Sequence, residues 1–157
     1  MREDRFLTGI LIGIAVLIAA ALAVFFTRQD QAAYLAEDTP EAVVHSYVLA
    51  ALNRDYPKAY GYLADLDHKP TLTEFRQAFA AGRLNPGANG IRVGRSSVSG
   101  DEATVEVSML SGAGNPFSSG YSNIGTAQLI RQDGRWRIAA MPAYNLWDYG
   151  WYQPGPK

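Results

Sequence analysis

No cysteine occurs anywhere in the 157 residues. Disulfides, thiolate catalysis and cysteine-ligated zinc are excluded together. Histidine is nearly as scarce: His45 and His68 are too few to assemble a zinc site without cysteine beside them, and no metal site is expected. An excess of one charge is missing too. The 14 Lys and Arg stand against 15 Asp and Glu, so the chain lacks the net basic charge of a nucleic-acid binder and no such partner is expected. No internal repeat, heptad series or low-complexity tract organises the chain. A nucleotide fingerprint is absent as well, because Gly112-x-Gly114 lacks its third glycine and Phe117 stands there. Nothing in this inventory implies a cofactor.

What the chain does have is one long apolar run, Phe6 to Phe26, without a charge and with Thr8 as its one polar side chain. At ~1.5 Å of rise per residue a helix of that length matches a hydrocarbon core of about 30 Å. The run therefore predicts a transmembrane helix over residues 6–26, with the lipid bilayer as its partner. A cleaved signal peptide is the rival, since Arg2 and Arg5 give a basic start and Ala21-Leu22-Ala23 a small-x-small site. Its apolar core would be shorter than this one. Basic residues before the run place 1–5 in the cytoplasm and everything after it outside, in a single-pass cell-membrane protein. Gly9-xxx-Gly13 would admit a second helix, so self-association is one expectation and an envelope protein partner another.

Residues 27–38 read as a linker and 39–152 as one extracytoplasmic domain, with 153–157 as a tail. Thr39-Pro40-Glu41 opens a helix, by cap, proline and acidic first turn. Val44, Tyr47, Val48 and Ala51 supply its buried stripe. Asp55 and Pro57 start a second helix, with Ala59, Tyr62, Leu63 and Leu66 as its apolar side. Thr71-Leu72-Thr73-Glu74 is a capping box for a third, which Gly82 stops.

From Ile91 the period changes to two. Val105, Val107 and Met109 alternate with polar neighbours, while Val98 falls out of phase with Ile91 and Val93, predicting a bulge near Gly94. A third strand runs from about Ile124 to Arg131. Asp133-Gly134 signals a two-residue hairpin into a fourth, bearing Trp136, Ile138 and Ala140. The fold class is α+β: three helices on a curved antiparallel sheet of about four strands.

TPEAVVHSYVLAALNRDYPKAYGYL near the start and DGRWRIAAM near the end resemble the cone-shaped superfamily of nuclear transport factor 2. The resemblance implies helices packed on a cone of sheet. Its enzymes, such as ketosteroid isomerase and the polyketide cyclases, place acid–base residues inside the cone, but no motif here lets those residues be carried over. The layout of one span and a cone resembles membrane-anchored bacterial members.

Candidate chemistry is thin. Asp65-Leu66-Asp67-His68 offers carboxylates and an imidazole, but it reads first as a solvated turn. His45 reads as flanking the buried stripe of the first domain helix. Arg92, Arg95, Arg131, Arg135 and Arg137 would form a basic strip if their strands paired. Phe117 and Tyr121 lie in a Gly/Ser-rich loop. The tail is richest: Tyr144, Trp147, Tyr149, Trp151 and Tyr152 put five aromatics into nine residues. They either fold back to close the core or form a surface for ligand or partner. The expectation is a non-catalytic domain for protein–protein assembly or small-molecule binding. The alternative is a hydrolase- or isomerase-type enzyme with its site inside the cone.

Overall fold

In the computed structural model the chain separates into two compact units, Met1–Ala33 and Tyr34–Lys157. The structure describes residues 3–29, 36–88, 90–111 and 121–154. The first unit holds one helix, α1 (Glu3–Gln29), whose described side chains, Thr8 to Ala23, are all exposed.

The expected transmembrane helix over 6–26 is corrected here. Among the described residues no helix is long and apolar enough to cross a membrane. The ends of this helix are charged, with Glu3, Asp4 and Arg5 at one and Arg28 at the other. The single-pass localisation, with a cytoplasmic N-terminus and an extracytoplasmic domain, falls with the span.

The second unit is α+β. Its first helix, α2 (Pro40–Leu52), starts where Thr39 Oγ1 accepts a 3.2 Å bond from Ala42 N. The second, α3 (Tyr56–Gly61), is capped by Asp55, which accepts a 3.3 Å bond from Lys58 N. Thr71 and Glu74 close a capping box on α4 (Leu72–Ala80): Glu74 N donates to Thr71 Oγ1 at 3.2 Å, and Thr71 N donates to Glu74 Oε2 at 2.8 Å. Each helix begins where a short polar side chain precedes the apolar residues.

Four antiparallel strands follow as a meander in the order β1-β2-β3-β4. They are β1 (Gly90–Ser99), β2 (Glu102–Ser111), β3 (Tyr121–Gln132) and β4 (Arg135–Ala140). Asp133 and Gly134 both take positive φ, 50° and 76°, which is the two-residue turn that matches strand twist. The register of β1 on β2 shifts between Val93 and Ser96, so the bulge falls at Gly94-Arg95. Ser96 N is then answered by a helix rather than a strand: it donates to Glu41 Oε1 at 3.1 Å, and Ser96 Oγ donates to the same oxygen. The Ser96 hydroxyl is the main reason the Glu41 carboxyl sits below the ordinary carboxylate range, against a smaller upward push from burial.

The inner face of the sheet presents Ala103, Val105, Val107, Ala127, Leu129, Trp136 and Ile138, all buried. Tyr47, Val43 and Val44 of α2 pack with them, and with Phe75 of α4. The burial of α2 is wider than one stripe: from Ala42 to Ala51 only His45 escapes full burial. α3 is shorter than its apolar spacing suggests. The chain leaves the helix so that residues 62–64 can cover the outer edge of β4, where Ile138 N donates to Tyr62 O and Ala64 N donates to Ile138 O, each at 2.8 Å. Leu66, expected on a helix face, is 41% exposed.

Candidate functional site

After β4 the chain turns inward. A Cβ built on Gly125 of β3 would lie 2.7 Å from Pro142 Cβ and 2.9 Å from the Tyr144 hydroxyl. The missing side chain at 125 is what lets the tail pass over the inner face of the sheet. Leu146 is then fully buried, and its carbonyl accepts a 2.6 Å bond from the Tyr47 hydroxyl.

Trp147 and Trp151 follow into the space between helices and sheet, at 6% and 7% exposure. Trp147 meets Tyr47 edge-on at 6.5 Å and Trp151 edge-on at 5.1 Å, and it stacks on Tyr152 at 5.8 Å. Trp151 stacks on Phe75 at 4.9 Å. Aromatic pairs at such separations contribute beyond their buried area, so the plug is held by geometry as well as by apolar burial.

Tyr152 fastens the end. Its N–H donates to His68 O at 3.1 Å and its hydroxyl to Ala64 O at 2.6 Å. Burial pushes the phenols of both Tyr47 and Tyr152 up from their ordinary value, with Tyr152 adding to the shift at Tyr47 and Tyr60 adding to that at Tyr152. Lys69 lies close by, its Nζ 4.6 Å from the centre of the Tyr60 ring and 3.4 Å from Leu63 O. Burial holds that ammonium below the ordinary lysine range, opposed by Asp65.

Two clefts flank the tail on the outside, and they meet at an ion pair. Arg83 Nη1 lies 3.0 Å from Asp148 Oδ2, while Asp148 Oδ1 accepts a 2.9 Å bond from Gly150 N. One cleft, of about 390 Å³, runs past His68, Lys69, Glu74 and Trp151. The other, of about 340 Å³, runs past Asn145, Trp147 and Tyr149. Tyr149 stands over this region with 79% of its surface exposed.

The six aromatic residues singled out from the sequence therefore separate. Trp147 and Trp151 lie inside, Tyr144 is half-buried beside Gly125, and Tyr149 is outside. Tyr121 opens β3 opposite Ser111, and Phe117 lies outside the described residues. Asp65, Asp67 and His68 are exposed, and among the described residues no group of His, Asp and Glu converges on a metal-sized space. His45 Nδ1 and the Ser46 hydroxyl are buried without a hydrogen-bond partner among the described residues.

The arginine strip does not form, because β1 and β4 are opposite edges of the sheet. Arg131 instead lies 4.6 Å over the Trp136 ring, and Arg137 donates to Gly61 O. Arg83 was not visible as a site residue. It follows the helix stop at Gly82, and nothing in its spacing points to Asp148.

No protein-family profile matches the chain, and no curated protein matches it either. Similar solved structures do exist. One is a SEC-C motif containing protein from Rhodopseudomonas palustris, 20% identical, covering 68% of this chain and 79% of that one at a TM-score of 0.46. Another is an NTF2-like protein of unknown function from Pseudomonas putida, 17% identical, covering 65% and 80% at 0.45. A third is a candidate NTF2-like transpeptidase from Campylobacter jejuni, 17% identical, covering 66% and 99% at 0.44.

Proposed function

We propose that the Tyr34–Lys157 unit is a non-catalytic binding domain that works in protein–protein assembly through the surface around Tyr149. One observation carries this reading: Trp147 and Trp151, from the chain's own tail, fill the space between helices and sheet. That is where the enzymes resembled by the sequence place acid–base residues, and a substrate needs the space open. Tyr47, the largest fully buried side chain among the described residues, gives its hydroxyl hydrogen to the Leu146 carbonyl.

Binding is left to the outside of the tail. An exposed tyrosine beside an arginine and two shallow clefts is the composition of an interface hot spot, where a rigid ring enters a partner at small entropic cost. The partner is a second copy of this chain or another protein.

The test is a photo-crosslinking amino acid placed at Tyr149 in the full chain. Gln128, exposed on the outer face of the sheet, is the control position. A discrete crosslinked product from position 149, weakened by Arg83→Ala and absent from position 128, supports the reading. No product at 149, or the same products from both positions, overturns it.

A further inference from the structure

Helices α2 and α4 end in the same way and at the same groove. After α2, Arg54 N donates to Ala51 O at 3.2 Å and Asp55 N donates to Ala50 O at 2.9 Å. These bonds close a helix when the residue past its cap turns left-handed. After α4, Gly82 N donates to Phe79 O at 3.0 Å. The left-handed residues are Arg54, at φ +59°, and Gly82, at φ +72°. Glycine is the usual occupant because it has no Cβ to clash with its own carbonyl. Arginine at the equivalent place is strained, and strain retained at one of two like positions points to a use for the side chain.

Both residues line a groove of about 400 Å³, with Phe79 and Leu84 in its apolar floor. A second hollow of about 290 Å³ joins it at Tyr56 and Ala80 and runs along the exposed side of α4. Tyr56 stacks on Phe79 at 5.0 Å, which fixes the ring between the two hollows. Among the described residues lining either hollow there is no Asp or Glu; the charged ones are Arg54 and Arg76. Neither guanidinium has an ion pair among the described residues. The carbonyl ends of the two helices favour a cation at this place and offset part of its charge.

We propose that this groove binds a small amphiphilic anion. Its carboxylate pairs with the Arg54 guanidinium, in a groove that Asn85 also lines. Its aliphatic or aromatic body lies past Tyr56 and along Ala80. A planar guanidinium matches a carboxylate through two parallel N–H bonds, and the body gains by leaving water against Tyr56, Leu52 and Phe79. The groove adjoins the cleft beside Tyr149 at Leu84, but the two proposals rest on different side chains, Arg54 with Tyr56 here and Tyr149 with Arg83 there, so each stands or falls without the other.

The probes are decanoate, below its micelle concentration, and decan-1-ol, which has the same body and no charge. The full chain is titrated with each while amide resonances are followed. Decanoate is expected to shift Tyr56, Ala80 and Asn85 and to bind at least ~tenfold more tightly than decan-1-ol. Arg54→Gly, which relieves the left-handed strain and should fold at least as well as the parent, brings decanoate down to the alcohol's affinity. Arg54→Lys keeps part of the difference. Ala80→Leu, an exposed change that narrows the junction at Tyr56, weakens both probes. Equal affinity for acid and alcohol, undiminished decanoate binding by Arg54→Gly, or shifts confined to other residues overturns the proposal.

Discussion

The hydroxyl of Tyr47, midway along α2, donates a 2.6 Å hydrogen bond to the carbonyl of Leu146, ninety-nine residues later in the chain. Both residues are fully buried. This bond joins the first helix of the second unit to the segment that closes it, and it satisfies a tail carbonyl shut away from water. Tyr47→Phe keeps the ring and leaves that carbonyl without its donor. A buried unpaired acceptor costs about 1–3 kcal/mol. Urea unfolding should show a loss of that size at unchanged slope. An unaltered midpoint would mean that water reaches Leu146 O once the hydroxyl is gone.

Trp151 is the second test of the closure. Removing it empties the space beside Phe75, and Trp→Ala in a packed core costs about 3–5 kcal/mol. Domain stabilities are about 5–15 kcal/mol, so truncation after Pro142, which removes Leu146, Trp147 and Trp151 together, should leave the second unit largely unfolded. Circular dichroism and thermal melting decide the matter. A truncated chain that melts like the full one would assign the tail to recognition alone.

Gly125→Ala probes the path of the tail over the sheet. The added methyl falls within 3 Å of Pro142 Cβ, Pro142 Cγ and the Tyr144 hydroxyl, and a proline ring on a tethered backbone has little room to yield. Overpacking of this kind costs about 1–3 kcal/mol. The expected outcome is a lower melting temperature together with increased accessibility of Trp147 and Trp151 to acrylamide quenching. Quenching as in the parent protein would refute the proposed coupling.

The alkaline limb of stability follows from the two phenols. Burial raises Tyr47 and Tyr152 above the ordinary value of about 10. The folded state therefore favours the neutral form. The stability linked to each is fully present below pH ~10 and is lost as pH rises past that value toward the folded one. Tyr152→Phe removes one titrating group, so the fall of unfolding free energy above pH ~10 should become shallower by one proton. Equal slopes for parent and variant would show that Tyr152 is already exposed before unfolding.

Much of the second unit was legible because the relevant signals act over a few residues. Thr39, Asp55 and the Thr71–Glu74 pair satisfy helix N–H groups one turn away. Asp133-Gly134 adopts the positive φ angles its composition allows, and the phase slip from Val93 to Val98 marked the bulge. The third strand began three residues before its expected start, at Tyr121, because β2 keeps offering ladder partners out to Ser111. Local composition could not show that.

The sequence by itself determined where the helices of the second unit start, where the Asp133-Gly134 hairpin turns and which residues face inward along β2 and β4, since all of these depend on backbone angles and bonds within a short stretch. Only the tertiary structure decided what lies across the chain. It separated the arginines of β1 from those of β4, ended α3 at Gly61 to cover a strand edge, sent Trp147 and Trp151 inward with Tyr149 left outside, and brought Arg83 to Asp148. Such pairings are set by which apolar surfaces find one another in space, and spacing along the chain carries no record of them.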